Sequence, residues 1–100
     1  MVKHIILWKL KEEFTDEEKA KIKQEAKSGL EGLKGQIEGL NDIKVNINGL
    51  ETSNCDMMLD STLESFEALK AYAVHPKHVN IADTYVRPFT ADRVCLDFEE

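Results

Sequence analysis

Four side chains in this sequence can move a proton near neutral pH or steer a carbonyl group: His4, Tyr72, His75 and His78. An imidazole titrates close to neutrality and serves as acid or base. A tyrosine hydroxyl polarises a carbonyl or holds the enolate formed from it. Aldol-type carbon–carbon bond formation needs those two services and no cofactor. Three of the four fall in the run Tyr72-Ala73-Val74-His75-Pro76-Lys77-His78. His78 and Tyr72 are the candidate catalytic pair. His4, Ile6, Trp8, Met57, Leu59 and His75 are the candidate ligand contacts, supplied by strands and by the same run. An enzyme built this way needs a cavity of about 300 Å³ bounded by Tyr72 and His78.

The same residues have a plainer reading. His75 ends a helix before Pro76 and donates to its last carbonyls. His78 holds a loop across the molecule, and Tyr72 is core with a satisfied hydroxyl. Between these lies a protein that binds a small apolar molecule without turning it over. A metal site is not expected: His75 and His78 have no helical carboxylate partner nearby, and Asp56, Asp60 and Asp97 read as solvated surface. Cys55 and Cys95 form no paired motif and read as two reduced, half-buried thiols. The sequence has no nucleophile elbow, phosphate loop or dinucleotide fingerprint.

Elements that position these groups follow from periodicity. Residues 2–10 read as a strand, with Val2, His4, Ile6, Trp8 and Leu10 on one face and Ile5 and Leu7 on the other. Thr15 with Glu18 makes a capping box, and Ile22, Ala26, Leu30 and Leu33 continue one apolar stripe towards an end near Gly35. Residues 42–49 and 55–61 alternate as strands. Thr62 or Ser65 opens a second helix carrying Phe66, Leu69, Tyr72 and Ala73. Pro76 interrupts it, and His78 to Asp83 resumes as a short helix. Arg93 to Phe98 is the last strand, with Val94, Leu96 and Phe98 opposite Cys95 and Asp97. The order βαββαβ predicts a ferredoxin-like α+β domain with an antiparallel sheet, one domain over residues 1–100.

Helices in that order cover one face of the sheet only, yet both faces carry apolar residues. A second copy packed sheet to sheet is the economical cover, giving a closed dimeric α/β barrel with Ile6 and Trp8 on the paired face. Bulk properties exclude other partners. Of the 100 residues, 42% are hydrophobic and 32% charged, ordinary for a folded domain. A net charge of −6 argues against nucleic acid. The longest apolar run at the start, Ile5 to Trp8, is too short for a bilayer, so no membrane association is expected. Lys9 and Lys11 break any signal-peptide pattern, so the expected location is the cytoplasm.

Val2 to Lys11, Leu63 to Leu69, Tyr72 to Val79 and Arg87 to Phe98 together resemble the stress-responsive dimeric α/β-barrel family over nearly the whole chain. The resemblance implies a homodimeric barrel and a link to stress response in some members, and it implies no single activity. One plant branch of that family cyclises linear polyketides with the tyrosine and second histidine that match Tyr72 and His78. The stretch Lys23 to Lys27 lacks the bulky apolar lining of that branch. Three functions are therefore in view: a stress-linked homodimer of unassigned activity that binds a small apolar molecule in its barrel, a cofactor-free lyase or cyclase of small carbonyl compounds, and a monooxygenase of the related barrel type.

Overall fold

A computed structural model describes residues 1–100. Four strands form one antiparallel sheet: β1 (Val2–Leu10), β2 (Leu40–Asn46), β3 (Met57–Leu63) and β4 (Thr90–Glu99), in the order β2-β3-β1-β4. Helices α1 (Asp16–Glu31), α2 (Phe66–Val74) and α3 (Pro76–Tyr85) pack on one side. The arrangement is the ferredoxin-like α+β fold.

Local chemistry sets each boundary. Thr15 Oγ1 accepts from the Glu18 amide at 3.1 Å, and the Glu18 carboxylate accepts from the Thr15 amide at 2.8 Å. This reciprocal cap starts α1. The regular helix stops at Glu31, four residues short of Gly35, because Gly32 already closes it onto the Ser28 and Leu30 carbonyls. A run of turns then carries the chain to Gly35, whose φ of +82° turns it out of the helix. Ser65, not Thr62, caps α2, accepting from the Ala68 amide at 3.1 Å, and Thr62 stays in β3.

Pro76 begins α3 rather than merely breaking a helix. The residue before a proline is driven out of the helical region, and His75 takes φ −64°, ψ 131°. Pro76 then supplies the preset φ of a first helical residue. Helix α3 therefore starts two residues before His78 and runs on to Tyr85.

Both strands of the β2–β3 pair differ by two residues from the alternation pattern, since Leu40 rather than Asp42 begins the pairing, opposite Leu63. On the outer side of β2, the Glu31 carboxylate accepts from the Val45 amide at 2.8 Å, and Lys27 Nζ donates to the Val45 carbonyl at 2.7 Å. Helix α1 is thereby pinned to β2. Burial raises the Glu31 carboxyl, but the Lys27 and Val45 hydrogen bonds outweigh it and hold the group below the usual carboxylate range.

Val2, His4, Ile6, Trp8 and Leu10 are all buried beneath the helices, together with Met57 and Leu59 of β3. This corrects the expectation for Ile6 and Trp8, which face the helices and not the free side of the sheet. The larger apolar set of β1 goes where its own chain can cover it. The free face instead carries Ile5, Leu7 and Met58, with Val94, Leu96 and Phe98 beside them at 58%, 65% and 40% exposure. No helix of the chain is long and apolar enough to cross a membrane.

Candidate active site between the sheet and helices α2 and α3

Tyr72 lies on the buried face of α2, one turn before the His75 break. The break re-aims the chain so that His78, in the first turn of α3, comes back over Tyr72. Their ring centroids lie 4.3 Å apart. On the other side of Tyr72 stands His4 of β1, at 6.1 Å and near-perpendicular. Three of the four residues singled out by type and spacing thus converge. They border a cavity of about 150 Å³ between the sheet and α2–α3, which is also lined by Ile6, Trp8, Val86, Arg87 and Arg93.

Each imidazole is oriented by its second nitrogen. The His78 Nδ1–H donates to the Ala73 carbonyl at 3.2 Å, leaving Nε2 as the acceptor. Burial lowers the His78 pKa from its ordinary value of 6.5, and the charges of Arg87, His4 and Arg93 push the same way. The ring is a neutral base at pH 7. The His4 Nδ1–H donates to the Asp97 carboxylate at 2.5 Å across the β1–β4 pair. Tyr72 is 1% exposed, and its hydroxyl has no hydrogen-bond partner. Burial raises the pKa of that hydroxyl well above the usual tyrosine range, so it stays a proton donor.

Several sequence expectations are corrected. His75 takes no part in the cavity: its amide donates to the Tyr72 carbonyl at 3.1 Å and ends α2, and its Nδ1 also accepts from the Lys77 amide at 3.1 Å and caps α3. Met57 and Leu59 are core residues that do not line the cavity. The cavity lies on the helix side of the sheet, so Tyr72 and His78 do not face a barrel interior. Its volume is half the expected one. A larger, open hollow of about 300 Å³ lies beside Leu7 and residues 46–58, away from every histidine. Asp56 accepts from the Leu10 amide at 2.7 Å and Asp60 pairs with Lys3 at 2.6 Å, so neither is free surface. Both cysteines are free thiols, and Cys95 is exposed rather than half-buried.

Sequence reasoning missed Asp97, Arg87 and Arg93 as site residues. It also missed a donor cluster: His4, Cys95 and Asp97 bring three potential ligand atoms within 4.8 Å of one another. Such a nitrogen, sulfur and oxygen set would suit a borderline divalent ion such as zinc. Here the carboxylate is engaged by His4, with the Cys95 thiol donating to it at 3.4 Å. Burial, then the Asp97 carboxylate, raises the thiol's pKa above its ordinary value. Strand register brings the three together, with His4 opposite Asp97 and Ile6 opposite Cys95.

Residues 2–100 match the sequence model of the stress responsive A/B barrel domain. The chain belongs to that family. Solved structures resemble this A/B barrel domain along nearly its whole length. A dimeric protein of unknown function with a ferredoxin-like fold from Bacteroides fragilis is 30% identical, with a TM-score of 0.92 over 99% of this chain and 95% of that one. A dimeric ferredoxin-like protein of unknown function from Thermobifida fusca is 24% identical, with a TM-score of 0.79 over 97% and 88% of the two chains. A hydroxynitrile lyase from Passiflora edulis, 15% identical with a TM-score of 0.71 over 97% and 90%, shares the fold alone. No curated protein matches the chain.

Proposed function

We propose that this A/B barrel domain works as a homodimer in which each protomer moves protons on a small carbonyl compound, as a cofactor-free lyase or cyclase. The observation that carries the reading is the Tyr72 hydroxyl, buried without a hydrogen-bond partner beside His78. A buried unpaired hydroxyl costs roughly 1–3 kcal/mol, and a carbonyl oxygen bound in the cavity would relieve that cost. In the reaction, His78 Nε2 takes a proton from the carbon next to the carbonyl. Tyr72 donates a hydrogen bond to the enolate oxygen. The enolate carbon attacks a second carbonyl carbon, and the resulting alkoxide recovers the proton from the His78 imidazolium. Run backwards, the same sequence cleaves a carbon–carbon bond. His4, anchored by Asp97, borders the same space.

Size narrows the substrate. About 150 Å³ corresponds to the liquid volume of about five water molecules. A compound of a few carbons fits, whereas a long linear polyketide does not. The apolar part of the lining, Ile6, Trp8, Ala82 and Val86, favours a second reading in which a small apolar molecule is held without turnover. The free sheet face supports the homodimer, as do the dimeric relatives.

Hydrogen–deuterium exchange separates the two readings across a panel of simple carbonyl compounds. In D₂O, the wild type is expected to speed exchange beside the carbonyl of acetone, propanal, pyruvate or 2-oxobutanoate. His78→Ala is expected to lose that acceleration by ~10²–10⁴-fold. The wild-type rate should hold at neutral pH and fall only below 6.5, because the base is neutral down to there. Exchange at the buffer rate with every compound, or full activity in His78→Ala, would refute the catalytic reading.

A further inference from the structure

The cavity carries more positive charge than its chemistry on a carbonyl requires. No aspartate or glutamate lines it, while Arg87 and Arg93 both do. This occurs in a chain whose net charge is −6. The two arginines are not equivalent. Arg87 is already paired with Asp83, one turn back along α3. Arg93 pairs with no carboxylate of the chain.

Register explains where Arg93 sits. It is directly opposite Trp8 in the β1–β4 pair, on the same face as Cys95 and Asp97. Its side chain therefore lies on the helix side of the sheet, at the β4 wall of the cavity. Tyr72 and His78 come from the helices on the opposite wall. A guanidinium presents a planar fork of donors that matches a carboxylate through two parallel hydrogen bonds. Arg93 is exposed on β4, so a carboxylate would meet it at the open rim of the hollow, where salt screens the pairing.

We infer that the cavity selects small oxo acids, whose carboxylate is held by Arg93 while the carbonyl lies between Tyr72 and His78. The inference rests on the proposed carbonyl site and goes beyond it by naming the charge and the class of the substrate. A 2-oxo acid of four carbons has a volume compatible with the cavity. Its carboxylate neutralises Arg93, and its carbonyl oxygen takes the Tyr72 hydrogen bond. The hydrogens on the next carbon are the ones His78 removes.

Trp8 is the only tryptophan of the chain and lines the cavity, so its indole N–H gives a single, local resonance. Titrating ¹⁵N-labelled protein with 2-oxobutanoate and with the neutral, near-isosteric 2-oxobutanamide reads the charge preference directly. The acid is expected to shift the Trp8 signal with at least ~10-fold lower Kd than the amide. Arg93→Gln is expected to erase that difference by weakening acid binding to the level of the amide, whereas Arg93→Lys should keep part of it. Equal affinity for acid and amide in the wild type overturns the charge selection alone and leaves the carbonyl site standing. The same holds if Arg93→Gln keeps the acid preference. If neither compound moves the Trp8 signal, the site and the selection fall together. The wild-type comparison needs no variant, so a misfolded variant cannot shield the inference.

Discussion

Tyr72 holds a hydroxyl that the fold does not use. Most buried tyrosines find a partner for the oxygen, and this one has none in its own chain. Function and stability therefore part company at this atom. Tyr72→Phe is expected to leave the urea midpoint unchanged or to raise stability by about 1 kcal/mol, since it removes an unpaired buried group. The same substitution should slow carbonyl-side exchange by ~10²–10³-fold, as loss of an oxyanion donor does. A clear drop in stability would show instead that the hydroxyl serves the fold. At this scale the sequence was legible where the groups are close along the chain. The run from Tyr72 to His78 announced itself by residue type and spacing. Asp97 and Arg93 did not, because their tie to His4 and Trp8 crosses more than eighty residues and exists only in the strand register. His75 was half legible: it ends α2 as expected, and the proline after it makes it the cap of the next helix as well.

Between residues and molecule, the connections are set by backbone positions that few residues can occupy. Gly39 has φ +84°, and a Cβ there would lie 2.6 Å from the Ala68 Cβ of α2. Gly35 has φ +82° with nothing within 4 Å. The pair separates backbone strain from collision. Gly35→Ala should cost about 1 kcal/mol for the left-handed backbone alone. Gly39→Ala should cost distinctly more, about 2–4 kcal/mol, because α2 must also move away from the Leu40 end of β2. Chemical denaturation of both variants measures the difference, and equal costs would mean that α2 is free to shift. The start of α1 was readable from its capping box and that of α2 was narrowed to Thr62 or Ser65, but α3 was expected at His78 and begins at Pro76. The ends were less legible: α1 stops at Gly32 through carbonyl closure, and the two-residue offset of β2 and β3 reflects pairing of Leu40 with Leu63, which alternation alone does not reveal.

For the whole molecule, the proposed homodimer rests on the free sheet face. Val94, Leu96 and Phe98 lie exposed beside Ile5 and Leu7. Apolar residues grouped in this way mark an interface. The wild type is expected to run in light scattering at twice its 11.4 kDa chain mass. Leu96→Glu should shift it towards the single-chain mass while the Trp8 resonance stays folded, since that residue lies beneath the helices on the other side. A wild type that is monomeric and folded at micromolar concentration would remove the homodimer. The need for a second cover was visible in the sequence as apolar residues on both strand faces. Which face needed it was not, because Ile6 with Trp8 and Ile5 with Leu7 are equally greasy, and only the docked helices break the tie.

The fastening of Val45 by Glu31 and Lys27 bears on how such a pair ends. A sheet border recruits foreign strands through its idle amides and carbonyls. On β2 the rung at Val45, near its end, is already taken, by a carboxylate held below the usual carboxylate range. Lengthwise recruitment is left to the β4 border, the other end of the sheet. With one of its two borders obstructed, the sheet is poorly suited to growing strand by strand in both directions.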